Sequence, residues 1–356
     1  MDFTLQLLHW YSLHFRVLPW KSTDGQPDPY ATWVSEIILQ QTRVAQGLAY
    51  YQRFLHTFPT VLDLAQARED QVLKVWQGLG YYSRARNMHA AAQQIRDTYH
   101  GQFPNNIADL LTLKGVGPYT AAAIGSFAFN LPVAALDGNG YRILSRFFGI
   151  DLPPQTQAGK RCFENLAQTL LPPQQSASFN QALMDFGSLV CLPQPKCDEC
   201  PLQEACVAYT RHQVAAYPVV LPKKQSKNRY FNYLCFLFDD YTYLQQRQSN
   251  DIWKGLYEFP LLESPTSLDT EEVLAHPLFQ SWMQGIPYTL VDVHPLPVHK
   301  LSHQNIYAVF YTFRLEHGLT KAPDSYLVIP AASCDNYAVS RLTERYLNFL
   351  ITFVGS

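Results

Sequence analysis

Two carboxylates, far apart along the chain, stand in settings that suit acid–base and charge-stabilising chemistry. Glu36 opens the run Glu36-Ile37-Ile38-Leu39-Gln40-Gln41-Thr42. Three apolar residues follow it, and a buried carboxyl keeps its proton to higher pH because desolvation penalises the anion. Asp137 lies in Leu136-Asp137-Gly138-Asn139-Gly140, behind an apolar stretch. Breaking a glycosidic bond takes an acid to protonate the leaving group and an anion to steady an oxocarbenium-like sugar. Taken singly, each carboxylate reads as readily as a helix cap or a solvated surface group. The pair gains weight only from its company.

That company is of three kinds. Four of the seven cysteines crowd into one short stretch, Cys191, Cys197, Cys200 and Cys206. No secretion signal opens the chain, so a tight cysteine cluster reads as a metal site rather than a disulfide framework. Zinc and a cubane iron–sulfur cluster both accept four thiolates, and the spacing does not choose between them. Cys162, Cys235 and Cys334 are scattered and read as small buried apolar residues. The second feature is Leu113-Lys114-Gly115-Val116-Gly117-Pro118-Tyr119, a Gly-x-Gly turn between two helical patterns. Glycines leave backbone N–H groups uncovered, and at a helix N-terminus such amides hold a phosphate without net positive charge. An ordinary tight turn has the same letters. The third is Leu79-Gly80-Tyr81-Tyr82-Ser83-Arg84-Ala85-Arg86, where paired aromatics beside cations could wedge into a base stack or simply pack in a core.

The elements that must position these groups fall into two parts. The chain has 356 residues, 47% hydrophobic and 16% charged, which suits two globular domains. Residues 1–215 read as a bundle of short helices, with apolar residues three and four apart at 34–55, 61–76, 84–99, 107–113, 119–129 and 160–170. Residues 216–228, with Lys223-Lys224-Gln225-Ser226-Lys227, read as an exposed basic linker. Beyond it, 230–238 and 306–313 are aromatic and apolar like strands, and 267–284 looks helical, so 229–356 is expected to be an α+β domain. Net charge is −2. Nucleic-acid binding therefore cannot rest on bulk electrostatics and would need placed cations and backbone amides. No apolar run is long enough to span a membrane, the first residues lack the form of a signal peptide, and a cytoplasmic location is expected.

Together these motifs resemble the helix-hairpin-helix DNA glycosylases, and within them the MutY-type adenine glycosylases. The matching stretches are Leu39-Gln40-Gln41-Thr42, Gly78-Leu79-Gly80-Tyr81-Tyr82, the Gly115–Gly117 hairpin, Asp137-Gly138-Asn139, Phe179-Asn180-Gln181-Ala182-Leu183-Met184-Asp185 and the cysteines. The resemblance implies an all-α glycosylase domain carrying a 4Fe–4S cluster on Cys191, Cys197, Cys200 and Cys206, followed by a Nudix-like α+β domain. It implies a monomeric, bacterial, nucleoid-associated repair enzyme whose partner is double-stranded DNA bearing adenine opposite 8-oxoguanine. Glu36 matches the glutamate that protonates adenine and later handles water, and Asp137 the aspartate that stabilises the sugar cation. Tyr119 and Asn139 match supports of those carboxylates. Gln41 and Tyr81 match residues that enter the duplex, Gly115, Val116 and Gly117 the phosphate-gripping hairpin, and Trp20 and Gln181 parts of the flipped-base pocket. Ser302 and His303 match the loop that reads 8-oxoguanine. Related bifunctional enzymes place a nucleophilic lysine where Tyr119 stands, so a monofunctional glycosylase is expected. Trp253-Lys254-Gly255-Leu256-Tyr257-Glu258-Phe259-Pro260 carries the Nudix likeness, but the acidic box needed for metal-assisted pyrophosphate chemistry is missing. Two departures stand out: the first cysteine interval holds five residues where the family commonly has six, and Leu301 replaces a phenylalanine.

Overall fold

The structure, a computed structural model, describes residues 2–21, 27–222, 225–319 and 325–354. Lys223-Lys224 of the basic run lies outside the described residues. The chain forms two compact units: Met1–Gln66 with Ala90–Pro222, and Ala67–His89 with Lys223–Ser356.

The first unit is helical. It holds α1 (Phe3–Leu13), α2 (Pro29–Leu39), α3 (Val44–Thr57) and α4 (Val61–Gln66). The chain then passes through α5 (Glu69–Trp76) and α6 (Ser83–Tyr99), of which α5 and the first turns of α6 go with the second unit. The first unit resumes with the rest of α6, α7 (Ile107–Leu110), α8 (Pro118–Phe129), α9 (Gly138–Phe148), α10 (Gln157–Leu170), α11 (Ser176–Leu189) and α12 (Val207–Thr210). The pattern expected as one helix over 34–55 is two, and so is that over 61–76. In the first case the break is Gln40–Arg43, where Gln41 takes a left-handed φ of 61°. Apolar periodicity runs through such a turn because both flanking helices face the same core.

α2 starts where Asp28 caps it by accepting from the Tyr30 amide, with Pro29 at its first position. It is buried nearly all round, from Tyr30 through Ile38, and Glu36 is carried in with it. Its neighbour α8 is alanine-rich and buried from Thr120 to Ala128, so small side chains let the two helices pack closely. α11 sets Phe179, Ala182, Leu183 and Phe186 on one stripe against a core shared with Leu7 and Trp10 of α1 and Ile143, Leu144 and Phe147 of α9. α9 ends at Gly149, whose φ of 66° closes the helix in the left-handed conformation glycine accepts. No helix among the described residues is long and apolar enough to cross a membrane.

The second unit is built on an eight-stranded mixed sheet with central order β3-β2-β1-β7-β5. Its strands are β1 (Lys227–Phe238), β2 (Tyr241–Gln246), β3 (Tyr257–Glu258), β4 (Leu261–Ser264), β5 (Tyr288–Pro295), β6 (His299–Lys300), β7 (Gln304–Leu315) and β8 (Tyr326–Pro330). β1 and β7 run parallel and the other pairs antiparallel. Alternate residues of β1 go to opposite faces. Phe231, Tyr233 and Cys235 meet α15 (Arg341–Val354) through Leu342, Tyr346 and Leu347. Leu234 and Phe236 meet α13 (Thr270–Ala275) and α14 (Pro277–Met283) through Val273, Phe279 and Trp282.

The expected boundaries at 215 and 229 thus give way to a different grouping, because the 67–89 excursion pairs its polar groups with the C-terminal residues. Gln77 Nε2 donates to Glu344 Oε1 at 2.8 Å, and Tyr82 Oη donates to the Val339 carbonyl at 3.1 Å. Nothing in the local pattern of a helix says which unit its polar face will serve.

Candidate active site

One cleft of about 920 Å³ in the helical unit collects seven of the residues singled out above. Glu36, Asp137, Tyr119, Asn139, Gln41, Trp20 and Gln181 all line it. α2 contributes a stripe, Thr32, Ser35, Glu36, Leu39 and Gln40, at the three- and four-residue spacing that puts side chains on one helix face.

Glu36 is the middle residue of this stripe. Tyr119, in the first turn of α8, donates its hydroxyl to Glu36 Oε2 at 2.8 Å. Burial pushes the Glu36 carboxyl up to about 7, helped by the nearby Asp137 charge and opposed by the Tyr119 hydrogen bond and Lys21. Near neutral pH the group therefore exchanges a proton readily.

Asp137 is held differently. It is the N-cap of α9: Oδ1 accepts from the Asn139 and Gly140 amides, both at 2.9 Å, and Oδ2 from Asn139 Nδ2 at 2.7 Å. Burial lifts its carboxyl above the ordinary aspartate range, against those donors and Arg142. Donors to both oxygens, and the positive end of α9, fit the anion. The two carboxyls are thus set apart by environment: burial lifts Glu36 to about 7, where it can carry a proton near neutrality, while Asp137 has donors on both oxygens and a helix start to hold it as the charge. The reading of Asp137 as a helix cap holds, and the capping fixes its carboxyl in the wall of the cleft.

Around them, Gln181 accepts from Tyr11 Oη at 2.6 Å, and Trp20 packs edge-on against Tyr51 with centroids 5.1 Å apart. Sequence reasoning passed over a group beside them. Asp185, buried, takes Lys21 Nζ at 2.6 Å and Arg16 at 3.6 Å. Its signal was its place four residues after Gln181, on the same face of α11. Burial draws the Lys21 ammonium below the usual lysine range, against the pull of Asp185. Arg142 was also missed: three residues after Asn139, it donates Nη2 to Asn139 Oδ1 at 2.7 Å and to the Gly187 carbonyl at 2.8 Å. Arg16, Lys21, Arg43 and Arg142 give the cleft its cations in a chain of net charge −2.

The hairpin residues Gly115, Val116 and Gly117 are not in the cleft lining. Gly115 has φ 76°, Val116 is buried, and Gly117 caps α8 with open space where a side chain would stand. The open space at Gly117 leaves room for a phosphate at the start of α8, while the Val116 amide is spent on the Leu113 carbonyl at 3.1 Å. In the second unit Tyr81 takes φ 48°, a left-handed backbone, and its hydroxyl lies 2.9 Å from Ser302 Oγ. Arg84 stacks its guanidinium over the Tyr81 ring at 5.5 Å. The two residues expected to enter a duplex, Gln41 and Tyr81, thus both take a left-handed backbone, as do six other non-glycine residues among those described. Ser302 and His303 are exposed, while Leu301 packs onto the core, so its side chain is consumed as structure.

The four clustered cysteines line one concavity with Arg146. Cys197 and Cys206 bracket two short 3₁₀ turns, 197–199 and 203–205. Arg146, itself buried, staples the loop by donating to the Leu192 carbonyl at 2.6 Å, the Pro193 carbonyl at 2.9 Å and Cys191 Sγ at 3.5 Å. Cys191 reaches the concavity despite the shortened interval. No three His, Cys, Asp or Glu side chains among the described residues close around a single ion. The four thiols share one hollow, and thiolates grouped in this way serve zinc and iron–sulfur centres alike.

Comparison with known proteins bears on this geometry. Residues 34–169 match the family described as HhH-GPD superfamily base excision DNA repair protein, and 233–349 match the NUDIX domain. An adenine DNA glycosylase of Buchnera aphidicola subsp. Baizongia pistaciae is 35% identical over 308 residues, covering 85% of this chain and 83% of the relative. Among solved structures, a thermostable thymine-DNA glycosylase superposes with a TM-score of 0.54 at 29% identity, over 59% of this chain and 95% of its own. An endonuclease III in a non-covalent DNA complex superposes with a TM-score of 0.50 at 21% identity, over 60% of this chain and 99% of its own, a likeness of fold alone.

Proposed function

The chain belongs to the adenine DNA glycosylases, and from that premise we propose how its own residues hydrolyse the N-glycosidic bond of adenine in duplex DNA. The observation that carries the reading is the single cleft in which a buried, proton-holding Glu36 faces an Asp137 capped as an anion. An adenine extruded from the stack, at a cost of roughly a few kcal/mol, enters this cleft. Glu36 gives its proton to the leaving base, Asp137 stabilises the sugar cation, and Glu36 then takes a proton from the attacking water.

The base opposite is 8-oxoguanine or guanine. We assign Tyr81, Ser302 and His303 to it, and the Gly115–Gly117 hairpin at the start of α8 to a backbone phosphate. The enzyme acts as a monomer on a single lesion and leaves the strand unbroken. Tyr119 offers no amine, and Lys21, the lysine of the cleft lining, is engaged by Asp185. The test is single-turnover base release from duplexes pairing adenine with 8-oxoguanine, guanine and thymine. We expect release fastest opposite 8-oxoguanine, with strand breaks only after alkali; no release from any duplex would refute the reading.

Proton donation by Glu36 fixes the pH dependence. Because Glu36 titrates at about 7, the protonated fraction, and with it the rate of release, falls as pH rises through neutrality. The Tyr119 hydrogen bond favours the charged form and holds that value down. In Tyr119→Phe the fall in single-turnover rate is therefore expected at higher pH than in the wild type. A shift to lower pH would mean that Glu36 does not govern the profile.

Cys191, Cys197, Cys200 and Cys206 are the residues that would hold a 4Fe–4S cluster, which when bound cross-links the 191–206 loop and supplies no step of the hydrolysis. Purified protein is expected to contain iron and inorganic sulfide in equal amounts, with a visible absorption band that Cys206→Ser weakens together with DNA affinity. Zinc in place of iron would overturn this assignment.

A further inference from the structure

Thr32 is anomalous in the wall of the cleft. It lies on α2 one turn before Glu36, on the same stripe, and is 3% exposed. Its hydroxyl is closed off from solvent and has no hydrogen-bond partner among the described residues. Native interiors rarely leave a buried hydroxyl unpaired, because the desolvation is not repaid, and an exception calls for a reason. Ser35, beside it, shows the ordinary alternative by donating to the Thr32 carbonyl at 2.7 Å. Glu36 is also half-provided: Oε2 accepts from Tyr119, while the described residues send nothing to Oε1. Side chains four apart on a helix have Cβ atoms about 5–6 Å apart, a span that one water bridges.

We propose that Thr32 is a positioning residue for the hydrolytic step, its hydroxyl turning into the occupied cleft to hold, together with Glu36 Oε1, the water that attacks the sugar. This rests on the reading of the site given above. Threonine in a helix divides between two χ1 rotamers, which point the hydroxyl in different directions. The resting structure shows the hydroxyl turned away, and the departing base supplies the occasion for the other rotamer. The step balances without any further reactant. Adenine leaves with the bonding pair and the proton Glu36 gave it. Water oxygen bonds to C1′ of the sugar cation, and the water's proton passes to the Glu36 carboxylate. Thr32 exchanges only hydrogen bonds and ends unchanged.

The test compares wild type, Thr32→Val and Thr32→Ser. Valine keeps the shape and deletes the hydroxyl, and serine keeps the hydroxyl. Three quantities are measured: single-turnover adenine release, affinity for an uncleavable duplex, and partition of the sugar between water and added methanol. Thr32→Val is expected to slow release about tenfold, the loss of one hydrogen bond to a group in the transition state. It should raise the methyl-glycoside share several-fold, while affinity stays unchanged and the melting temperature is equal or higher. Thr32→Ser should behave as wild type. A packing role would not move the water–methanol partition. Equal partition and rate in wild type and Thr32→Val overturn the proposal, as does a Thr32→Ser variant as slow as Thr32→Val. An unchanged partition with altered preference between adenine and a purine lacking the 6-amino group assigns the hydroxyl to the base and overturns it equally. A wild type that releases no adenine removes the reading of the site itself, a failure distinct from these.

Discussion

Glu36→Gln should lower single-turnover adenine release by about 10²–10⁴-fold, the usual contribution of a positioned general acid. The substitution is close to a pure test of proton transfer. Gln keeps the length and shape of the side chain, and its amide oxygen can still accept from Tyr119 Oη, 2.8 Å away in the wild type. Burying a neutral amide costs less than burying a carboxylate whose own proton affinity is already raised by the same burial. The variant should therefore melt at an equal or higher temperature. Affinity for a duplex with adenine opposite 8-oxoguanine should persist, because Glu36 is buried in the cleft wall and an anion gives no attraction to phosphate. The decisive measurements are the rate of base release and a binding isotherm on an uncleavable duplex. Retained turnover with retained binding would transfer the acid role to another group, and Asp137 would be the next to examine.

Asp137→Asn should cost about 10²–10³-fold in the same assay, the scale on which removal of one preorganised electrostatic group is felt in a water-excluded site. Structure isolates charge from fold here as well. Asn caps helices as well as Asp, so the Asn139 and Gly140 amides keep an acceptor and α9 keeps its start. What disappears is the negative charge facing the sugar, together with the acceptor of Asn139 Nδ2, which must turn away from the new amide. A loss of rate with unchanged unfolding stability and unchanged duplex affinity is the expected outcome. A loss of rate that tracks a fall in melting temperature would instead place Asp137 as a helix cap and nothing more. The two substitutions also separate the roles by pH. Glu36→Gln should abolish the fall in rate through neutrality, whereas Asp137→Asn leaves Glu36 titrating and the fall visible, shifted down because the Asp137 charge no longer raises Glu36.

Much of this site was legible in the chain because its chemistry is carried by short local patterns. Glu36 heading an apolar run, Asp137 before a Gly-Asn-Gly start, the Gly-x-Gly turn and the clustered cysteines each keep their meaning in a few residues. Helix type and sheet type followed for the same reason: period and composition are local properties. The breaks at 40–43 and 67–68 did not show, since one core can be served by two helices without a change of period.

What the chain determined by itself was the inventory: two acids, four thiols, a phosphate-type turn and the helices and strands to carry them. Only the folded structure decided which acid keeps its proton, because that depends on burial and on donors brought from α8 and from the start of α9. It alone brought Asp185 to Lys21 and Arg16, Tyr81 to Ser302, and left the Thr32 hydroxyl without a partner. Desolvation and pairing are sums over neighbours in space, and a linear pattern holds no record of those neighbours.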